Sequence, residues 1–276
     1  NILVGTNNGL YEITGRKITR KFSNTIDSTY AITRILQDRK GVYWIASNKG
    51  LFKFVKNSYV HYTTRSGLLD NNISWITEDS QGKFWVASEK GLNKFDGKKF
   101  TSITSKESFA DYKVWNIIED RENNLWFSTD TGLYVLKNGE FRLYDKADGK
   151  TFSPWSIYED SKKNILVGTD IRGLVQIKDD QLDLVNSSYL LNNSIWAIHQ
   201  DNRNRFWFAT DSGLVRGSNG SYKRYNSTNG FVDDAVYCIY EDDKKNIWLG
   251  TGFNGIYYFD GKIFNNVKIN TLNEFE

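Results

Sequence analysis

Short apolar runs, rich in β-branched and aromatic side chains, alternate along this chain with clusters of Gly, Asp, Asn and Ser. Residues 73–104 show one full cycle. Its runs are Ile73–Asp79, Phe84–Ser88, Gly91–Phe95 and Phe100–Ile103, separated by turns at Asp79–Gly82, Glu89–Gly91 and Asp96–Lys99. Runs of this length bounded by turn residues predict strands joined by hairpins. No segment keeps a helical period, and Gly recurs too often to permit one. The cycle therefore predicts four antiparallel strands, named a, b, c and d in chain order.

The cycle repeats from end to end. A Gly followed by an apolar residue falls at Gly9, Gly50, Gly91, Gly132, Gly173, Gly213 and Gly255, in steps of 41, 41, 41, 41, 40 and 42 residues. A fixed period of that size marks one supersecondary unit copied along the chain, each copy unable to bury its apolar faces alone. Seven four-stranded meanders predict an all-β fold, a seven-bladed β-propeller. A parallel β-helix would need shorter coils without hairpins, and a WD-type propeller would repeat Gly-His and Trp-Asp dipeptides. The period assigns residues 1–276 to one domain, with blades at about 1–28, 29–69, 70–110, 111–150, 151–191, 192–232 and 233–276.

Several columns are visible at fixed phase. An Asp closes strand a at Asp38, Asp79, Asp120, Asp160, Asp201 and Asp242. The loops that follow lack the alternating oxygen ligands and terminal Glu of a calcium loop. A carboxylate accepting backbone N–H bonds at the head of a tight turn accounts for them better. Six residues later comes a large residue: Trp44, Trp85, Trp126, Leu166, Trp207 or Trp248, with Leu3 at the N-terminus. A Trp buries roughly 150–250 Å², so this column reads as a wedge between neighbouring blades. Two residues on stands a small residue (Gly5, Ala46, Ala87, Ser128, Gly168, Ala209, Gly250), then Thr or Ser. The small position implies close approach of another backbone.

The segments Val114–Asp120, Asn124–Thr129, Gly132–Leu136 and Phe141–Tyr144, with Ser66–Ile73 and Asn246–Thr251, resemble the two-component regulator propeller repeat of bacterial sensor proteins. That repeat reads Gly-Leu, a polar residue, Asn, Val, two residues, Ile, one residue, Glu-Asp, a turn, then Leu-Trp-Ile-Gly-Thr before the next Gly-Leu. The likeness covers nearly the whole chain; Leu3 and Leu166 depart from it, as does Gly217, where strand c usually has an aromatic. The resemblance implies an extracytoplasmic, periplasmic sensory module, often two propellers in series ahead of a membrane helix and histidine kinase. Many members respond to oligosaccharides.

Composition narrows the function classes. Thirty-six Lys plus Arg against 33 Asp plus Glu leave a formal charge of +3, with no basic stripe to suit nucleic acid. The lone Cys238 cannot form an internal disulfide. No run approaches the apolar length of a membrane span, and residues 1–20 lack a signal-peptide pattern. Two histidines, His61 in a strand d and His199 in a strand a, form no zinc-spaced cluster or nucleophile signature. No glycine-rich phosphate loop is present, so the sequence implies no cofactor and no metal.

The phase also bears on the ends. Asn1 opens directly on strand b, and an eighth strand a would begin beyond Glu276. Blade 1 is therefore expected to lack its strand a, unless residues 269–276 bend in to replace it, and the chain reads as a piece of a longer polypeptide.

Recognition on a rigid scaffold usually lies in its variable loops, here the d–a connections. Beside them, the early position of strand a reads Thr33, Ser74, Trp115, Trp155, Trp196 and Tyr237, and the next reads Arg34, Trp75, Asn116, Ser156, Ala197 and Cys238. Aromatic faces beside amides and hydroxyls suit a sugar ring, while packing between blades accounts for the same column. The candidate ligand-binding residues are Tyr30, Arg34, Trp75, Tyr112, Trp115, Trp155, Asn193, Trp196, Asp233, Asp234 and Tyr237. They point to a non-catalytic sensory propeller that binds an oligosaccharide or docks a neighbouring domain, such as a second propeller of the same polypeptide. The alternative is a propeller-fold polysaccharide lyase or glycosidase using two carboxylates among Asp70, Asp111, Asp233 and Asp234.

Overall fold

The computed structural model describes residues 1–276 apart from 16, 57, 104–111, 171, 179, 192, 219, 229–230, 232–234 and 268–276. Seven antiparallel meanders follow one another along the chain as the blades of a seven-bladed β-propeller. Six have four strands in the order a-b-c-d, with strand a at Ile32–Gln37, Ile73–Glu78, Val114–Glu119, Pro154–Glu159, Ile195–Gln200 and Val236–Glu241. The first has only Ile2–Thr6, Gly9–Thr14 and Lys17–Lys21, the strands b, c and d that the phase predicts. Residues 269–276, the expected substitute for its strand a, lie outside the described residues. A 3-10 turn at Thr64–Ser66 and a two-stranded hairpin, Lys146–Ala147 with Lys150–Thr151, occupy two d–a connections. Among the described residues no helix is long and apolar enough to cross a membrane. The chain divides into two compact units, residues 1–143 and 144–276.

The Asp column shows why the blades share one shape. In blade 2, Asp38 Oδ1 accepts the backbone N–H of Lys40 and of Val42, each at 2.9 Å, and Oδ2 accepts the indole N–H of Trp44 at 2.9 Å. The indole bond recurs from Trp85 to Asp79, Trp126 to Asp120, Trp207 to Asp201 and Trp248 to Asp242, at 2.7–2.9 Å. One carboxylate thus sets the a–b turn and fixes the Trp on strand b. In blade 5, where Leu166 replaces Trp, Asn164 Nδ2 donates to Asp160 Oδ2 at 2.8 Å, a bond that Asn124 and Asn246 also make to their Asp alongside the indole. Burial opposes the charged form of Asp38, Asp201 and Asp242, but the indole and backbone donors outweigh it and hold these carboxyls below their ordinary value.

The indoles face the next blade. Trp44 packs on Phe84 and Phe95, Trp85 on Phe127, and Trp207 on Phe259, with ring centroids 4.4–6.0 Å apart. Each hydrophobic cluster therefore sits between two adjacent blades rather than within one: Trp44 with Ile73, Ile76 and Phe84, Trp85 with Val114 and Ile117, Trp207 with Val236 and Leu249. Opposite the indoles, strand c sets a cation over the ring, Lys53 over Trp44, Lys94 over Trp85 and Arg216 over Trp207. These contacts cover the outer face of each aromatic with an aliphatic stem and a charge.

Two further columns have direct physical causes. The Thr or Ser ending strand b donates its hydroxyl to the carbonyl of the hairpin Gly in all seven blades, from Thr6 to Gly9 through Thr251 to Gly255, at 2.7–3.1 Å. Those seven glycines all have φ between 80° and 140°, a region that side chains with a Cβ rarely adopt. The small residue before the hydroxyl is approached by the next blade: a Cβ on Gly168 would lie 2.5 Å from the Ile195 carbonyl oxygen, and one on Gly5 would lie 2.6 Å from Ile32 Cγ2.

A fourth column joins blade to blade. In three blades the side chain of the residue before the Asp reaches back to the preceding turn: Glu78 accepts the N–H of Arg39 at 2.9 Å, Glu119 that of Ser80 at 2.6 Å, and Gln200 that of Ser161 at 2.7 Å.

Asp201→Asn should destabilise the fold by about 2 kcal/mol at neutral pH, because a charged acceptor of several buried donors is lost. A depressed folded-state value means that the carboxylate contributes stability above its unfolded value of about 3.9 and loses it as pH falls through the lower folded value. Denaturant melts of the two proteins should therefore converge between about pH 5 and pH 2; a constant gap would contradict the assignment. Gly168→Ala should destabilise by about 1–3 kcal/mol through overpacking, although Ala46, Ala87 and Ala209 occupy the same column elsewhere. An unchanged urea midpoint would show that the blades can separate to admit a methyl group.

Candidate functional site

Strand a does not pair smoothly with strand b. Ile32 pairs with Ser47 and Arg34 with Ala46, so Thr33 between them has no opposite residue, and the same shift recurs in all six four-stranded blades. The bulged residues are Thr33, Ser74, Trp115, Trp155, Trp196 and Tyr237, the column singled out in the sequence. A β-bulge removes one residue from the ladder and re-aims its side chain. These positions are thus released from the pairing that constrains the rest of the strand.

In residues 1–143 the bulge is used structurally in two blades. Thr33 Oγ1 donates to the carbonyl of Ile73 at 2.6 Å, and Ser74 Oγ donates to that of Val114, so each hydroxyl ties its blade to the next. The following position packs as well. Half-buried Trp75 donates its indole N–H to the Ile117 carbonyl at 2.9 Å, and the Arg34 guanidinium lies 3.8 Å from its ring centroid. Trp115 is half-buried under the Lys113 ammonium, 4.0 Å from the ring, and Lys113 is paired with Glu89 at 2.7 Å. Tyr30 meets Phe52 edge-on at 5.6 Å and carries Lys49 over its face at 4.6 Å. Tyr112 is half-buried one residue before Lys113.

In residues 144–276 the bulge column becomes a contiguous aromatic run. The rings of Trp155 and Trp196 are 4.7 Å apart and inclined at 55°; those of Trp196 and Tyr237 are 5.4 Å apart at 66°. Trp155 and Trp196 are half-buried, and Tyr237 is 46% exposed. The Trp196 indole donates to Asp211 Oδ1 at 2.7 Å. Asp211 stands on the b–c hairpin of its blade, directly after Thr210, which pairs with Ile195. In the next blade the corresponding loop is clipped to strand a by the Gly252 N–H on the Ala235 carbonyl at 3.1 Å, and a Cβ on Gly252 would come within 3.1 Å of the Tyr237 ring. The loop then presents Phe253, 89% exposed.

Other candidates have different settings. Asn193 is buried and engaged within its connection, donating to the Leu191 carbonyl and accepting from Ser212 Oγ at 2.6 Å. Asp70 caps a turn through the Asn72 N–H, with Lys90 at 3.9 Å. Asp111, Asp233 and Asp234 lie outside the described residues. His61 stacks on Phe52 at 4.0 Å with its Nε2 2.9 Å from the Lys49 carbonyl. His199 Nε2 is 3.0 Å from Glu241 Oε2, across neighbouring blades and three residues along strand a from the aromatic run. Among the described residues no group of three or more His, Cys, Asp or Glu could hold a metal ion. The residue that sequence reasoning missed is Asp211; the signal for it was the phase, since the end of strand b lies beside the start of strand a.

Four segments, residues 67–90, 108–131, 189–212 and 230–253, match the family model of the two component regulator propeller. Four of the seven blades thus carry segments that match the two-component regulator propeller repeat. Each matched repeat runs from a d–a connection through strand a, the Asp turn and strand b to the b–c hairpin. Solved structures agree on the fold. The extracellular domain of B. thetaiotaomicron BT3049, assigned as a hybrid two component system, is 25% identical with a TM-score of 0.74, over 84% of this chain and 33% of that one. The extracellular domain of B. thetaiotaomicron BT4673, assigned as a one component system, is 19% identical with a TM-score of 0.76, over 93% and 36%. The propeller-repeat chain thus spans about a third of the length of these extracellular domains. Virginiamycin B lyase from Staphylococcus aureus superposes with a TM-score of 0.70 at 15% identity, over 87% and 86%, which shows a common fold only. Among curated proteins none matches the sequence.

The two environments of the strand a aromatics should separate on mutation. Trp75→Ala removes interblade packing and a hydrogen bond and should lower stability by about 3 kcal/mol, whereas Tyr237→Ala should change it by less than about 1 kcal/mol. Equal losses in denaturant titrations would place the whole column in the core.

Proposed function

We propose that this chain is a non-catalytic, ligand-binding propeller of an extracytoplasmic bacterial sensor, and that the aromatic run of residues 144–276 binds an oligosaccharide. The observation that carries the reading is the contact of Trp155, Trp196 and Tyr237 on three consecutive bulges. Bulges free these side chains from the ladder, and the interblade role that Thr33 and Ser74 fill in blades 2 and 3 passes in blade 5 to the neighbouring Ser156, whose hydroxyl donates to the Ile195 carbonyl at 2.9 Å. Trp155 is therefore surplus to the bond that joins blade 5 to blade 6. Partly exposed rings beside a carboxylate and short polar hairpins offer apolar faces to sugar C–H groups and acceptors to hydroxyls.

The sensory part of the reading rests on the repeat family and on the likeness to the BT3049 extracellular domain. That likeness supports an extracytoplasmic location and further domains on the same polypeptide. A catalytic reading has less support. The His199–Glu241 pair joins neighbouring strands a three residues along from the aromatic run, with the Tyr158 ring edge-on to the imidazole, and reads as a structural contact between blades.

Calorimetric or tryptophan-fluorescence titration against a broad panel of oligosaccharides should find saturable binding without turnover. Trp155→Ala and Trp196→Ala should each weaken it at least tenfold, about 1.4 kcal/mol, with the unfolding midpoint nearly unchanged. Absence of binding across the panel would remove the oligosaccharide reading, and product formation would favour a lyase or glycosidase.

A further inference from the structure

We infer that the Trp196–Tyr237 end of the aromatic run takes a sugar carrying a protonated amine, and that Asp211 is the residue that selects for it. The inference rests on the aromatic run being the ligand face, and it adds a charge to the ligand. A flat stacking platform for an extended neutral chain needs rings that share a plane. Here successive rings are inclined by 55° and 66°, so the run turns a corner at each step. Inclined aromatic faces with a carboxylate at their edge are the surroundings in which an ammonium group is held, through attraction to the ring faces and to the anion.

The carboxylate is in place. Asp211 Oδ1 accepts the Trp196 indole N–H at 2.7 Å, while the residue is exposed on its hairpin. Oδ2 has no bond or ion pair to any described residue, so the second oxygen is available to a ligand donor. One side chain thus fixes the tilt of the central ring and sets a negative charge beside it. The described cations of the neighbourhood are engaged elsewhere: on the loop before Trp196, the Arg224 guanidinium donates to the Tyr189 carbonyl. Arg172 and Lys150 belong to the Trp155 end, where Arg172 Nη1 donates to the Thr151 carbonyl at 3.1 Å. The described loops around Trp196 and Tyr237, Ser187–Leu191 and Asn193–Ser194 on one side and Gly252–Gly255 on the other, contain neither Lys nor Arg. An anionic sugar would meet the charge of Asp211 beside Trp196, and no Lys or Arg within these described loop segments offsets it.

The test compares three probes of similar length by calorimetry at about pH 6, where an amine of this kind carries its proton: glucosamine oligomers, their N-acetylated counterparts and oligogalacturonate. The amine-bearing oligomer should bind at least tenfold more tightly than the N-acetylated one, with the difference shrinking as salt screens the charge. Oligogalacturonate should bind weakest. Asp211→Asn keeps an acceptor for the indole and removes the charge, so it should abolish the preference while leaving affinity for the N-acetylated oligomer within about twofold. Asp211→Ala removes the acceptor too and should weaken both. Equal binding of amine and N-acetyl forms, or tighter binding of oligogalacturonate, overturns the charge assignment and leaves the oligosaccharide reading standing. If no saccharide binds, both fall.

Discussion

One carboxylate per blade holds this fold in register. The Asp at the end of strand a accepts two backbone N–H groups that the tight a–b turn would otherwise leave unsatisfied, and with its second oxygen it accepts the indole N–H of the Trp six residues on. The Trp then has one allowed orientation, with its ring directed at the following blade. A buried indole needs a partner for its N–H, and a buried carboxylate needs donors; each supplies what the other lacks. Blade 5 shows the constraint by exception. Leu166 has no donor to offer, yet Asp160 still accepts the backbone N–H groups of Lys162 and Asn164 and the Asn164 amide, a bond that Asn124 and Asn246 also make beside their tryptophans. The carboxylate is kept and satisfied even where its usual partner is gone.

From that point the blades are tied by contacts that repeat at both ends of the strands. At the Asp end, Glu78, Glu119 and Gln200 each reach back to a turn N–H of the preceding blade. At the other end, a Thr or Ser hydroxyl closes every b–c hairpin on its Gly carbonyl, and the Gly adopts the positive φ that the hairpin needs. Neither contact involves the bulged second residue of strand a. Because the bulge takes that residue out of the ladder, its side chain can change between blades without disturbing register. That freedom explains how Thr, Ser, Trp and Tyr all occur at one structural position.

Much of the scaffold was legible because each scaffold residue is repeated at fixed phase. The Gly spacing, the Asp, the Trp and the small residue of strand b led to four strands per blade, and the phase also gave strands b, c and d as those that the described residues place in the first blade. Legibility failed where a role depends on a partner far along the chain. The Glu or Gln before each Asp was visible, but its target lies about 39 residues away in another blade. The bulge could not be read, since a strand with one extra residue has the same composition as one without. Trp75 and Trp155 looked alike from the sequence, one residue apart in phase. The structure buries the first against Ile117 and an arginine and sets the second against Trp196. Asp211 was seen as part of a uniform hairpin, and only the distance to the Trp196 indole gives it a distinct role.

The division of labour within strand a is what allows a rigid repeat to carry a specific site. Its Asp end is nearly invariant because each blade must meet its neighbour there in the same way. Its bulged end is permissive, and the chain uses it differently in different blades. Thr33 and Ser74 make the interblade bond at the bulge itself, whereas in blade 5 the bond moves one residue on to Ser156 and leaves the bulge to Trp155. The shift has a steric consequence across the strand pair. Ser156 faces Gly168, where a Cβ would collide with the Ser156 hydroxyl and the Ile195 carbonyl, and Gly is the residue present. The Gly of strand b, the Ser of strand a and the Trp beside it therefore form one local solution. The glycine makes room for the serine, the serine takes over the interblade bond, and the tryptophan is released from the ladder to pack against Trp196.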